Sequence, residues 1–210
     1  MEKVPYHGNP GNAACALACY TMAAQYLLPD EHITFEQMAK IARMKKGYVV
    51  WGFPAWKWMM DRGIHIADYD KSDIEAWAKE GIEGLRKTVA PKEFKYYQDN
   101  TEDLEKVTKQ LALATEHTNF TYKQCHVTWD MIVEETKKPG ICDVTLDGRK
   151  LHRADGFSVH RVILIEITDN EVIFHDPTQK NDGAYKHEPI DFFRAAVESL
   201  DGPELARYSL

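Results

Sequence analysis

A thiol nucleophile needs three things: a cysteine where its thiolate is favoured, a base within reach and a group that holds the base in one tautomer. Cys15 follows the turn-rich stretch Gly8-Asn9-Pro10-Gly11-Asn12 and opens an apolar run to Leu28 in which Leu17, Tyr20, Ala24, Leu27 and Leu28 recur at helical spacing. With Asn12 as the expected N-cap, Cys15 falls in the first turn, where free N–H groups and the positive end of the helix dipole favour thiolate over thiol. His160 opens the most strand-like segment, His-Arg-Val-Ile-Leu-Ile-Glu-Ile, directly after the loop Asp155-Gly156-Phe157-Ser158-Val159. Asp176, stopped by Pro177, closes the following strand and could orient an imidazole.

The elements that must position these residues fall into three stretches of one domain spanning 1–210. Residues 1–70 read as a helical part that carries the nucleophile. After the first helix, Thr34 and Gln37 make a capping-box pattern for a second helix to about Met44, and a third spans about Pro54 to Arg62. Residues 71–138 shift to charged, helix-favouring composition and read as a helical insertion, broken at Pro91 and at 96–100, with a short last helix over Met131–Lys137. Residues 139–210 read as an antiparallel sheet with a closing helix. Its strands are Ile141–Leu146, Val159–Ile167 and Glu171–Phe174, and its helix is Ile190–Leu200. The fold class is therefore α+β.

Taken together, Cys15 at the head of its helix, His160 with its apolar strand and Asp176-Pro177 resemble the papain-like cysteine peptidases. The likeness is to the branch of bacteriocin-processing, double-glycine leader peptidases. It covers about residues 6–65 and 128–200 and leaves the insertion unexplained. It implies a papain-like fold and a Cys15-His160-Asp176 triad acting through a thioester on a peptide or protein substrate, with no cofactor and no metal. Two positions depart from the family pattern. Ala16-Leu17 stand where Gly-Pro is usual, and Asn9 stands six residues before the cysteine where a Gln usually helps hold the oxyanion. Asn9 offers the same hydrogen bond from a shorter arm. Beside a hydrolase, the residues leave open an acyltransferase using an amine in place of water, and a binding domain that keeps the fold without turnover.

Strand parity sets a further condition. His160 and Asp176 must leave the same face of the sheet, and a regular two-residue turn at Asp169-Asn170 would put them on opposite faces. An odd-numbered loop, or an even one with a β-bulge, is expected.

The remaining residues with chemical potential read more plainly. His152 sits in a polar stretch and is expected to be exposed, and His175 should face away from Asp176. Cys19 reads as core, and Cys125 and Cys142 as structural. Trp51, Trp56 and Trp58 lie close together and read equally as cleft wall or core; Trp51 and Gly156 are the substrate-binding candidates. Four scattered cysteines argue against a disulfide framework or a structural zinc site. A formal charge of −7 leaves no basic surplus for a phosphate backbone, so nucleic acid is not an expected partner. The longest apolar run is too short for a bilayer span, so no membrane partner is expected. The N-terminal residues lack a signal-peptide pattern, so the expected compartment is the cytoplasm. Oligomeric state has no signature.

Overall fold

A computed structural model describes residues 3–9, 14–178 and 182–210. Helix α1 (Cys15–Leu27) is apolar on every side, and such a helix must be enclosed. Every residue from Leu17 to Ala24 is buried. The turn Pro29–Glu31 leads to α2 (Phe35–Ile41), capped by the expected reciprocal Thr34/Gln37 pair, and then to α3 (Phe53–Met60). The expected cap Asn12 lies outside the described residues; the helix itself starts with Ala14 at the N-cap position and Cys15 first inside.

Strand β1 (His65–Asp70) precedes the inserted helices α4 (Ile74–Glu80), α5 (Ile82–Thr88), α6 (Pro91–Asn100) and α7 (Leu104–Thr115). Strand β2 (Phe120–Gln124) and helix α8 (Trp129–Thr136) follow. The rest of the chain is β3 (Ile141–Asp147), the single turn α9 (Gly148–Leu151), β4 (Val159–Ile167), β5 (Glu171–His175), β6 (Lys186–Pro189), α10 (Ile190–Val197) and β7 (Leu205–Ser209).

The architecture is α+β, with seven described strands in one sheet ordered β2-β1-β7-β3-β4-β5-β6. Three expectations are corrected. The sheet is mixed, because β2 runs parallel to β1 while the other neighbours are antiparallel. The insertion is accordingly not all helical: α4 to α7 form the crossover that a parallel pair requires, and β2 returns the chain to the sheet edge. The sheet also extends into the stretch 1–70 through β1.

Each face of the sheet carries its own core. Ile66, Ile141, Ile163, Ala206 and Tyr208 face α1 and the other helices of the first two stretches. Val144, Leu146, Val162, Leu164 and Phe174 face Trp129 and Ile132 of α8 and Phe193 of α10. Among the described residues, no helix is long and apolar enough to cross a membrane.

Candidate active site

The hairpin from β4 to β5 positions the candidate base, His160, and the candidate orienting acid, Asp176. Thr168 donates its amide to Glu171 O at 2.9 Å across a two-residue Asp169-Asn170 turn, so Ile167 pairs with Val172 and Glu166 with Ile173. The register then shifts between Glu166 and Leu164, and beyond it Leu164 pairs with Phe174 and Ile163 with His175. The bulge falls at Ile165. Continued by one residue, this register sets Asp176 opposite Val162, on the face of His160. The even loop with a compensating bulge is thus what restores parity.

His160 Nε2 and Asp176 Oδ1 lie 2.7 Å apart. The Asp176 side chain is only 4% exposed, yet its second oxygen, Oδ2, is 2.7 Å from His152 Nε2. One buried carboxylate is therefore shared by two imidazoles. Burial pushes the Asp176 carboxyl up, but the hydrogen bonds from His152 and His160 outweigh it and hold the group down at about 2.

With Nε2 of His160 engaged by Asp176, its Nδ1 is the nitrogen left to face Cys15, and the two groups lie near enough for each to shift the other's titration. Burial opposes ionisation of the Cys15 thiol. The hydrogen bond and charge of His160 and the backbone of Arg161 win, and the thiol lies below its ordinary value. Burial likewise opposes charge on His160, but Asp176 and Cys15 raise it to about 9. The two groups titrate as a pair, and both directions favour thiolate beside imidazolium. By contrast, burial drives Cys19, one turn further along α1, well above the ordinary thiol range.

The turn before β4 sets the rings. Asp147, buried at the end of β3, accepts from the amides of Arg149, Lys150 and Ser158, which folds α9 and the following loop back onto β4. This places His152 at the C-cap of α9, over Asp176. A Cβ at Gly148 would lie 2.7 Å from His160 Cβ, so the close approach of α9 to the histidine needs glycine there.

Sequence reasoning placed His152 among exposed residues and gave it no role. Its side chain is 45% exposed, but the ring nitrogen is bound to the candidate acid. The missed signal was Asp147 followed by a glycine, a cap with room for a tight turn. His175 faces away as expected: its Nε2 lies 3.1 Å from Val4 O and its Nδ1 accepts the Tyr185 amide.

Asn9 is buried and its amide donates to Thr178 O at 3.0 Å, which ties the segment before α1 to the residues just past Asp176. Gly156, with φ +96°, sits in open space in the loop leading to His160, beside Phe157 at 63% exposure. Trp51 is half-buried in an aromatic cluster. It stacks on Phe53, meets Trp77 and Tyr97 edge-on and donates to Thr101 Oγ1 at 3.0 Å. These contacts join α3 to the insertion, so of the two readings of Trp51 the packing one describes its partners.

The donor atoms of His152, His160 and Asp176 lie within 4.8 Å of one another, a set able to ligate a transition metal. Each nitrogen-to-oxygen pair is at hydrogen-bond length, so a metal here would break both hydrogen bonds and withdraw His160 from Asp176. Neither a protein-family model nor a curated protein matches the chain.

Proposed function

We propose that this protein is a papain-like thiol hydrolase that cleaves a peptide or amide bond. The observation that carries the reading is the convergence of Cys15, the first residue of a buried helix, with His160, whose ring lies 2.7 Å from the buried Asp176 carboxylate. The packing of α1 against β4, which carries the histidine, supports the papain-like assignment of the fold.

In this mechanism Cys15 attacks the substrate carbonyl as thiolate while the imidazolium of His160 waits to protonate the leaving amine. The amides at the head of α1, with Asn9 in the role the resemblance gives it, hold the developing oxyanion. Water, deprotonated by His160, then resolves the thioester. Asp176 keeps the ring in the tautomer that presents Nδ1 to sulfur, and His152 fixes the second oxygen of that carboxylate. A reducing compartment such as the cytoplasm keeps the thiol available for this chemistry.

The test is an electrophilic peptide probe with a turnover assay beside it. Labelling at Cys15 that disappears in His160→Ala, and peptide cleavage that disappears in Cys15→Ala, are the expected results. Full turnover in Cys15→Ala would end the covalent mechanism.

A further inference from the structure

On the α1 face of the sheet, the ends of β1 and β7 gather carboxylates that the proposed chemistry does not use. Asp68 pairs with Ala206, and the register carried one step further sets Asp70 beside Glu204. Asp143, paired with Ala206 from the other side, joins them on this face. The cation facing the group is Arg161, bonded to Asp143 Oδ1 at 2.6 Å and to Glu204. Asp143 is further satisfied by the Tyr208 hydroxyl at 2.8 Å. One guanidinium is thus set against four acids.

Asp68 is the member without a partner. It is 6% exposed, and no described residue hydrogen-bonds or ion-pairs with its carboxylate, whose oxygens are not sealed from solvent. A buried carboxylate left so is costly unless a cation or a proton neutralises it. Burial and the charges of Glu204 and Asp70 accordingly push its carboxyl well up. Glu204, although bonded to Arg161, keeps 42% of its side chain exposed, so solvent reaches the cluster from this side. Aromatic rings border it: Tyr20 lies under Arg161, Tyr122 pairs with Asp68 across β1 and β2, and Tyr97 of α6 feels the charges of Glu204 and Asp70. Carboxylates beside aromatic faces make a setting for an organic cation.

We propose that Asp68, Asp70 and Glu204 form a cation subsite that takes a lysine or arginine side chain of the peptide substrate. The inference rests on the thiol hydrolase reading and adds a substrate class to it. The cluster shares with Cys15 the face of the sheet covered by α1 and lies at the same end of the strands, since Arg161, whose backbone contacts the thiol, also binds Glu204. From β4 to β1 is three strand spacings, about 14 Å, so the basic residue sits roughly two to four positions from the scissile bond of an extended peptide.

The experiment is digestion of a mixed peptide library, prepared by cleavage at acidic residues, with cut sites read on both sides by mass spectrometry. The expected result is lysine or arginine enriched about 10-fold at one position within four residues of the cut, with the enrichment lost in Asp68→Asn protein whose melting curve shows it folded. A matched peptide pair, lysine against norleucine at that position, repeats the reading on the unmutated protein and keeps the result independent of how the variant folds. Cleavage without basic preference overturns the subsite alone. No cleavage of any peptide overturns the hydrolase reading and the subsite with it.

Discussion

Replacing Asp176 by Asn keeps an oxygen for His160 Nε2–H but removes the negative charge, which makes it a clean probe of the pairing at Cys15. In the intact site His160 keeps its proton to about 9, against an ordinary 6.5. That difference corresponds to roughly 3 kcal/mol favouring the charged ring. It arises although burial works against it, so it must come from Asp176 and from the thiolate. A free thiol of pKa about 8.5 is only about 0.3% thiolate at pH 6. A thiolate held below its ordinary range is also a weaker nucleophile, so the gain in rate over free cysteine at pH 6 should be smaller than the gain in ionised fraction. The assay is the rate of Cys15 alkylation by iodoacetamide from pH 4 to 10, in a Cys125→Ser background because Cys125 is the other cysteine with exposed surface. The unmutated site should ionise below the ordinary thiol range and show a second step near pH 9, where His160 gives up its proton. In Asp176→Asn the second step should fall by about one to two pH units. A single ionisation near 8.5 in the unmutated site, or a second step that ignores the Asp176 substitution, would refute the reasoning.

Three other expectations follow from the same geometry. His152→Ala frees one oxygen of Asp176 and should lower turnover a few-fold while raising the Asp176 carboxyl. The stability Asp176 contributes, present above about pH 4 and lost as pH falls through about 2, should then be lost at higher pH, read as a less acidic unfolding midpoint. Gly148→Ala sets a methyl 2.7 Å from His160 Cβ and should cost about 1–3 kcal/mol in melting experiments and displace the histidine, with turnover down at least about 10-fold. Arg161→Met leaves Asp143 buried with its cation gone and should destabilise by about 3–5 kcal/mol in urea titration; an unchanged midpoint would mean that Tyr208 alone satisfies Asp143.

The parts of the fold legible in the sequence are those where local pattern and burial agree. Helix α1 is apolar throughout, α2 carries a capping box and β4 is a run of branched apolar residues, so each can be read without its neighbours. Strands β1 and β2 could not be read this way. His-Ile-Ala-Asp-Tyr-Asp and Phe-Thr-Tyr-Lys-Gln place charges where a strand usually places branched carbon, and only their neighbours in the sheet make them strands. For the site, the three residues that meet were legible because each ends or begins an element. His152 was not, because its tie to Asp176 depends on how a single turn of helix folds over a strand 24 residues away.

The place of β7 makes one sheet of two sets of strands. This strand comes last in the chain yet lies between β1 and β3, in the interior of the sheet. Without residues 205–209, β1 and β2 have no strand ladder joining them to the β3-to-β6 half that holds His160 and Asp176. Both halves would meanwhile show an open strand edge, which invites pairing with other chains. The contacts that join them span some 140 residues of sequence, so closure is entropically late and slow. Strand β7 therefore couples the strand that carries Asp68 and Asp70 to the strands that lead to His160 and Asp176.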